Sequence, residues 1–245
     1  MAEGTLKILR GAKRYVPVSV KRPVKKLIPR RYHRVFDPGW HRRTIGNMQL
    51  WEELGELQLT YLTGQGLRPE HNLLDVGCGP LRAGVHFIRY LEPGRYYGVD
   101  KNQAALEEAQ ELELPPAEIA EKRPTLAAMS DFGFERLGQQ FDFAIAQSVF
   151  THLYLNEITQ CLLKLEHVLK PGGRFYASFF LNPDGKRNLD DIQQTDRVVT
   201  HFERDFFHYD VAAFEWICEG TSLSVSYLGD WNHPRNQKML LFTKA

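Results

Sequence analysis

The sequence predicts a doubly wound α/β fold: a mostly parallel sheet with helices on both faces, finished by an antiparallel hairpin. Three observations carry this expectation. Short apolar runs alternate with segments of helical period between residues 71 and 181. The run Leu73-Leu74-Asp75-Val76-Gly77-Cys78-Gly79-Pro80 ends a strand on a two-glycine turn and opens a helix. Near the carboxyl terminus two strand-like runs, Leu223–Leu228 and Lys238–Thr243, follow one another. The link between them, 229–237, is too short for a crossover helix, so they must pair antiparallel.

In chain order, Met48, Leu50, Trp51, Leu54, Leu57, Leu59, Leu62 and Leu67 fit a mostly buried helix within 47–67. Strands are expected at 71–76, 96–99, 125–129, 141–146 and 174–181, with helices at 82–91 and 103–113 between them. After the fourth strand, Ile158, Leu162, Leu165 and Val168 step at helical intervals. Pro171-Gly172-Gly173 is expected to stop that helix and turn the chain into the fifth strand. A last helix is expected at 210–219, before the hairpin.

With 245 residues, 43% hydrophobic and 25% charged, the chain has room for one sizeable domain and an extension. Its longest apolar runs, such as 175–181, are too short to span a bilayer, and no long apolar core follows the first charges as in a signal peptide. Cys78, Cys161 and Cys218 lack ligand spacing, which argues against a disulfide framework or a zinc site and for a cytoplasmic setting. Residues 1–34 hold 11 of the 31 Lys and Arg but a single acid, Glu3, so a basic arm (1–45) precedes an acidic domain (46–245). Pro17, Pro23 and Pro29 break any helix there. Basic residues mixed with Val16, Val18, Val20, Val24, Leu27 and Ile28 suit an anionic membrane surface or a polyanion, or else a disordered or locally docked extension. Scarce acids also fit a mitochondrial leader, but serines are few and no helical period is sustained.

A dinucleotide fingerprint beginning at Gly77 would need a third glycine at position 82, where the chain has Arg82. Asp75 would repel a pyrophosphate but can accept hydrogen bonds from an ammonium-bearing ligand, directly or through water. Asp100, at the end of the second strand, can accept both hydroxyls of a ribose or can cap the next helix.

These motifs together resemble the class I S-adenosylmethionine-dependent methyltransferases, with a Rossmann-like seven-stranded sheet. Leu73–Pro80 resembles the family's first motif, and Asp100 after Tyr97-Gly98-Val99 its ribose-binding acid. Ser130-Asp131-Phe132 resembles the adenine-contacting segment, 141–153 the fourth strand and its helix, and 165–175 the approach to the fifth strand. The terminal hairpin is the family's hallmark, and the resemblance covers roughly residues 47–245. It implies S-adenosyl-L-methionine as cofactor, held by Asp75, Gly77, Cys78, Gly79, Asp100, Ser130, Asp131 and Gln147. Leu81 stands where the family often has a third glycine. The chain lacks both an Asn-Pro-Pro-Tyr run after the fourth strand and the acid cluster of magnesium-dependent catechol enzymes, so neither subgroup is indicated.

Methyl transfer needs a nucleophile held in line and water excluded, and an alcohol acceptor needs a base, most often histidine. The strand before the hairpin turn runs parallel to the others, so that turn opens on the crevice side, bringing Trp231, His233 and Arg235 there. The connection after the fifth strand brings His201, Arg204 and His208, and His152 follows the fourth strand. His233, His152, His208 and His201 are candidate bases, beside a base-free mechanism; Trp231, Arg235 and Arg204 are candidate substrate contacts. Each has a structural alternative as turn brace, helix cap or core, and core is also the expectation for Phe202, Phe206 and Phe207. The leading expectation is methylation of a small-molecule or glycan acceptor, at oxygen or else at nitrogen. RNA methylation through the basic arm competes with it, although the acidic domain disfavours nucleic acid. A non-catalytic cofactor- or partner-binding module is the third reading; a nicotinamide dehydrogenase is opposed by Arg82 and the hairpin.

Overall fold

The structure is a computed structural model that describes residues 41–42, 50–183 and 189–245. Nearly all of the basic arm, and with it the expected membrane-surface element, lies outside the described residues. Gln49–Ala245 form one compact unit. Its elements are α1 (Trp51–Gly64), β1 (Leu73–Val76), α2 (Gly84–Tyr90), β2 (Tyr96–Asp100), α3 (Gln103–Glu113), α4 (Pro116–Lys122), β3 (Thr125–Ala128) and β4 (Phe141–Ala146). There follow α5 (Leu155–Val168), β5 (Leu169–Phe179), β6 (Ile192–Thr195), β7 (Val198–Thr200), α6 (Val211–Cys218), β8 (Leu223–Asp230) and β9 (Lys238–Lys244).

Among the described residues, seven strands form one sheet in the order β3-β2-β1-β4-β5-β9-β8. The first five pair in parallel, and β9 runs antiparallel between β5 and β8. Side-chain alternation along each strand feeds two cores. Leu74, Ala144 and Phe175 face α5 and α6, where Ile158, Cys161, Leu162, Leu165 and Phe214 are buried. Leu73, Phe143, Ile145 and Tyr176 face the other layer, with Leu62, Phe87, Ile88 and Leu106 of α1, α2 and α3. That is the doubly wound arrangement, and it places the carboxyl ends of β1, β2 and β4 along one edge. The opposite edge is tied by charge: Asp142 accepts from Lys170 Nζ (2.7 and 2.8 Å) and from the Asn72 N–H (2.8 Å).

The boundaries differ from expectation in three places. The helix α5 ends at Val168, before Pro171, because Leu169 is already extended and pairs with Phe141. Pro171-Gly172-Gly173 is therefore an irregularity inside β5, where the register slips between Phe141 and Phe143, and not the turn before it. The short helix α4 carries proline in its first turn and is closed by left-handed Arg123; none of its residues is buried, so it lacks the periodic apolar signal that finds helices. The hairpin β6–β7 is built mostly from polar residues, Ile192-Gln193-Gln194-Thr195 against Val198-Val199-Thr200. It crosses the connection after β5, which sequence patterning leaves without elements.

Candidate functional site at the carboxyl ends of the strands

The turn after β1 is shaped by backbone conformation. Gly77 and Gly79 are left-handed, at φ +70° and +53°. The Gly77 and Cys78 N–H groups both donate to Val99 O (2.8 and 3.1 Å), pinning the turn to β2. A Cβ on Gly77 would stand 2.5 Å from Val149 Cγ2. Leu81, at the family's usual third glycine, is also left-handed (φ +63°), so the backbone shape persists without the glycine. The Leu81 side chain is fully buried against Gly84, whose own Cβ would meet Leu81 Cδ2 at 2.6 Å. Gly77→Ala should cost about 1–2 kcal/mol for the left-handed backbone and about 1–3 kcal/mol for the clash with Val149. Thermal melting and S-adenosylhomocysteine titration on one preparation check this; a variant that keeps wild-type melting and affinity refutes it.

Asp100 does not cap α3. Asn102 does, its side chain accepting from the Ala105 N–H (3.2 Å). The Asp100 carboxylate instead takes the Gly79 N–H on Oδ2 (3.0 Å) and the Asn102 N–H on Oδ1 (2.9 Å). It thus faces the glycine turn, held by two backbone donors, with acceptor capacity left for hydroxyls. Asp75 is buried beneath the turn and accepts from the Tyr96 hydroxyl at 2.7 Å. Burial pushes its carboxyl up to about 7, opposed by the Tyr96 hydrogen bond. The Cys78 side chain turns into the core against Gly98, and burial raises its thiol; only its backbone lines the turn.

The raised Asp75 carboxyl has a consequence for stability. Its unfolded counterpart ionises near 3.8 and the folded one near 7, so the folded chain holds an extra proton between those values. Stability from this group falls as pH rises from about 4 to about 7 and stays low above. Asp75→Asn keeps an acceptor for Tyr96 and loses that penalty. The ligand-free variant should melt above wild type at pH 8 by on the order of 1 kcal/mol or more, with the gap closing by pH 4. An equal difference at both pH values refutes the assignment.

After β3, Ser130 and Asp131 are exposed. Both Asp131 oxygens are engaged by the Arg136 guanidinium, and Oδ1 also accepts the Gly133 N–H. The Arg136 hydrogen bonds hold this carboxyl down at about 2. Asp131 therefore braces the loop that shapes this side of the crevice.

At the end of β4 lies a polar chain that sequence reasoning did not assemble. Arg82 Nη2 donates to Gln147 Oε1 (2.6 Å). Because a guanidinium has only donors, this orients the Gln147 amide, whose Nε2 lies 2.6 Å from Ser148 Oγ and 2.9 Å from His233 Nε2. Ser148, itself left-handed at φ +58°, donates its N–H to Ser178 Oγ (2.7 Å). The Ser148 and Ser178 hydroxyls both donate to Gln237 Oε1 (3.0 and 2.7 Å). The hairpin turn is thus fastened to the floor of the crevice.

His233 is part of that fastening. Burial and the nearby charges of Arg82 and Arg235 depress its imidazole to about 3. Its Nε2 already faces the Gln147 amide, so it is not positioned as a proton acceptor at neutral pH. Trp231 is core: its ring packs edge-on to Tyr61 (5.4 Å) and stacks on His233 (5.2 Å). Its ring contacts support the turn that carries His233.

His208 is buried, with Nδ1 3.0 Å from Thr200 Oγ1, and burial lowers its pKa. His201 Nδ1 lies 2.6 Å from Asp191 Oδ1, and Arg204 reaches the same Asp191 at 3.8 Å, forming a cluster at the small hairpin. Arg204 is largely exposed in that cluster. Phe207 is core, Phe206 half-buried against His152 and Phe180, and Phe202 exposed.

His152 is different. It sits in the single turn Phe150–His152 after β4, three residues past the Val149 that packs on Gly77. Its side chain is 44% exposed, and Asp205 Oδ2 lies 2.7 Å from Nδ1. A carboxylate on Nδ1 orients the ring and leaves Nε2 to accept a proton, which is the arrangement of an oriented base. Asp205 comes from the loop after β7, a pairing no spacing rule in the sequence reveals.

The chain is similar to known methyltransferases. Residues 74–175 match the family model described as a methyltransferase domain. An uncharacterized methyltransferase of Schizosaccharomyces pombe is 32% identical over 108 residues, 41% of this chain and 37% of the relative. The chain thus aligns with little more than a third of that relative's length. Magnesium protoporphyrin IX methyltransferase from Synechocystis with bound S-adenosylhomocysteine superposes with a TM-score of 0.59 at 17% identity, covering 88% of this chain and 97% of the other. An amino pentose methyltransferase from Micromonospora echinaspora, with bound S-adenosylmethionine, gives 0.55 at 18% identity over 80% and 92%. These solved structures share the fold.

Proposed function

We propose that this chain, whose residues 74–175 match a methyltransferase domain on a shared methyltransferase fold, is a class I S-adenosylmethionine-dependent methyltransferase that methylates an oxygen nucleophile on a small-molecule or glycan acceptor. The cofactor fits the residues present: left-handed glycines open the turn, and Asp100 faces it with acceptor capacity to spare. Asp100 would hold the ribose hydroxyls, the backbone of Gly77–Gly79 the methionyl portion, and Asp75 the ammonium group through water. When bound, the cofactor supplies an electrophilic methyl group on a sulfonium.

The observation that carries the oxygen reading is the His152–Asp205 pair, whose histidine lies in the turn that follows β4. An alcohol is a weak nucleophile while protonated, and an imidazole fixed by a carboxylate can take its proton as the carbon–oxygen bond forms. Asp205 holds the ring and stabilises the imidazolium. Gln147 and Ser148, held by Arg82, Ser178 and Gln237, form a rigid floor between cofactor and acceptor. The amino pentose and porphyrin substrates named for the two fold neighbours are of the same small-acceptor kind. A screen of sugars, phenols and alcohols with isotopically labelled methyl donor tests the proposal. Label on an acceptor oxygen supports it; label only on nitrogen or on RNA overturns it.

A further inference from the structure

Among the described residues, two arginines at this site form no ion pair. Arg82 is only 9% exposed, yet among the described residues its side-chain partner is the neutral amide of Gln147 and its Nε is buried without a hydrogen bond. Arg235, half-buried in the β8–β9 turn, has no ion pair among the described residues. The hydrogen-bond chain brings them to one place: Arg82 holds Gln147 (2.6 Å), Gln147 Nε2 lies 2.9 Å from His233 Nε2, and the Arg235 N–H donates to His233 Nδ1 (3.3 Å). Consistent with this, burial and Arg235 bring Arg82 down to about 10, and both arginines act on His233. Asp75 also acts on Arg82, behind burial and Arg235, but no ion pair joins them, and its own carboxyl is held by Tyr96.

A buried cation without a counter-charge is costly, and proteins keep one where a ligand supplies the missing charge. Planar guanidiniums are suited to carboxylate and phosphate oxygens, which they bind in forked pairs. Arg82 leaves the turn after β1 and reaches Gln147 after β4, while Arg235 lies in the turn between β8 and β9. Asp100 and Asp131 lie on the other side of β1, at β2 and β3. The paired charge therefore sits on the half of the crevice away from the ribose acid.

We infer that Arg82 and Arg235 form an anion site that receives a carboxylate or phosphate carried by the acceptor. This rests on the methyl-transfer reading above and narrows it to acidic acceptors, such as sugar acids, sugar phosphates or aromatic acids. Gln147 then has a second function, holding Arg82 in place until the acceptor arrives. His233, kept neutral beside the two arginines, adds no third positive charge and no competing anion.

The test uses the full chain and sodium sulfate at constant ionic strength, with chloride as the balancing salt. Affinity for S-adenosylhomocysteine is measured first; failure to bind it overturns the methyltransferase reading independently of the anion. Sulfate is then titrated into protein saturated with S-adenosylhomocysteine, so the cofactor's own carboxylate site is already filled. Saturable binding is expected, weakened about tenfold or more by Arg235→Gln. Arg82→Gln should do the same; if it does not fold, Arg82→Lys replaces it. Sulfate that binds only the cofactor-free protein and competes with S-adenosylhomocysteine shows that the arginines hold the cofactor's carboxylate, and overturns the inference. Absence of saturable binding in both states, or binding unchanged in the Arg235→Gln protein, overturns it too.

Discussion

Replacing His152 with glutamine is expected to slow methyl transfer by about 10²–10⁴-fold, the usual contribution of a positioned general base. Glutamine is close in size and still hydrogen-bonds, so packing around Phe206 should be little disturbed. The residue is exposed and outside the core, which makes a large stability loss unexpected. Affinity for S-adenosylhomocysteine should stay near wild type, because His152 lies beyond the glycine turn and Asp100. The pH profile supplies a readout that a structural role would not move. Wild type and variant should differ in how turnover depends on pH, and the residual rate should rise with pH as the acceptor itself ionises. Asp205→Asn should give a smaller loss, since the ring stays but its orientation and the charge behind it weaken. Full turnover with an unchanged pH profile in both variants would remove the pair from the reaction and leave a base-free mechanism.

The second large effect concerns Asp100. Hydrogen bonds to a charged acceptor contribute about 1.5–3 kcal/mol each, and two ribose hydroxyls are at stake, so Asp100→Ala should lose on the order of 10²-fold or more in cofactor affinity. The Gly79 and Asn102 N–H groups also lose their acceptor, so some fall in melting temperature is expected alongside. Asp100→Asn separates these contributions. It retains one oxygen for a backbone donor but no charge, and should bind with intermediate affinity while melting closer to wild type. Calorimetric titration of each variant decides the matter. Unchanged affinity in a folded Asp100→Ala protein would sink the ribose assignment.

Much of the frame was legible because its causes are local. Strands β2 and β4 and helix α3 lie where apolar periodicity put them, since burial on one face imposes a period on adjacent residues. The glycine turn and the acid on β2 were legible for the same reason: a left-handed backbone needs glycine, and strand topology brings the ends of β1 and β2 together. The terminal hairpin followed from link length alone. The helix α4 and the hairpin β6–β7 were not found because little of either is buried, and periodicity reports burial and nothing else.

Single residues show the same division. Asp100 could be a ribose ligand or a helix cap by its position in the chain; the cap is Asn102, and only coordinates show it. Four histidines were equal candidates by sequence. Packing separates them, burying His208 and His233, tying His201 to Asp191 and leaving His152 exposed on Asp205. Arg82 looked like a failed glycine in a dinucleotide motif. In the fold it is the buried end of a polar chain reaching Gln147, His233 and Gln237.

The sequence by itself determined the alternation of strands and helices, the turn that opens the crevice and the acid beside it. These depend on hydrophobic period, glycine and link length, which act over a few neighbouring residues. Tertiary structure alone decided which side chains meet, because His152 with Asp205 and Gln147 with His233 are 53 and 86 positions apart. It also decided what those groups can do. Whether an imidazole takes a proton, or a guanidinium awaits an anion, is set by the water removed around it and the charges packed beside it, and neither quantity exists until the chain has folded.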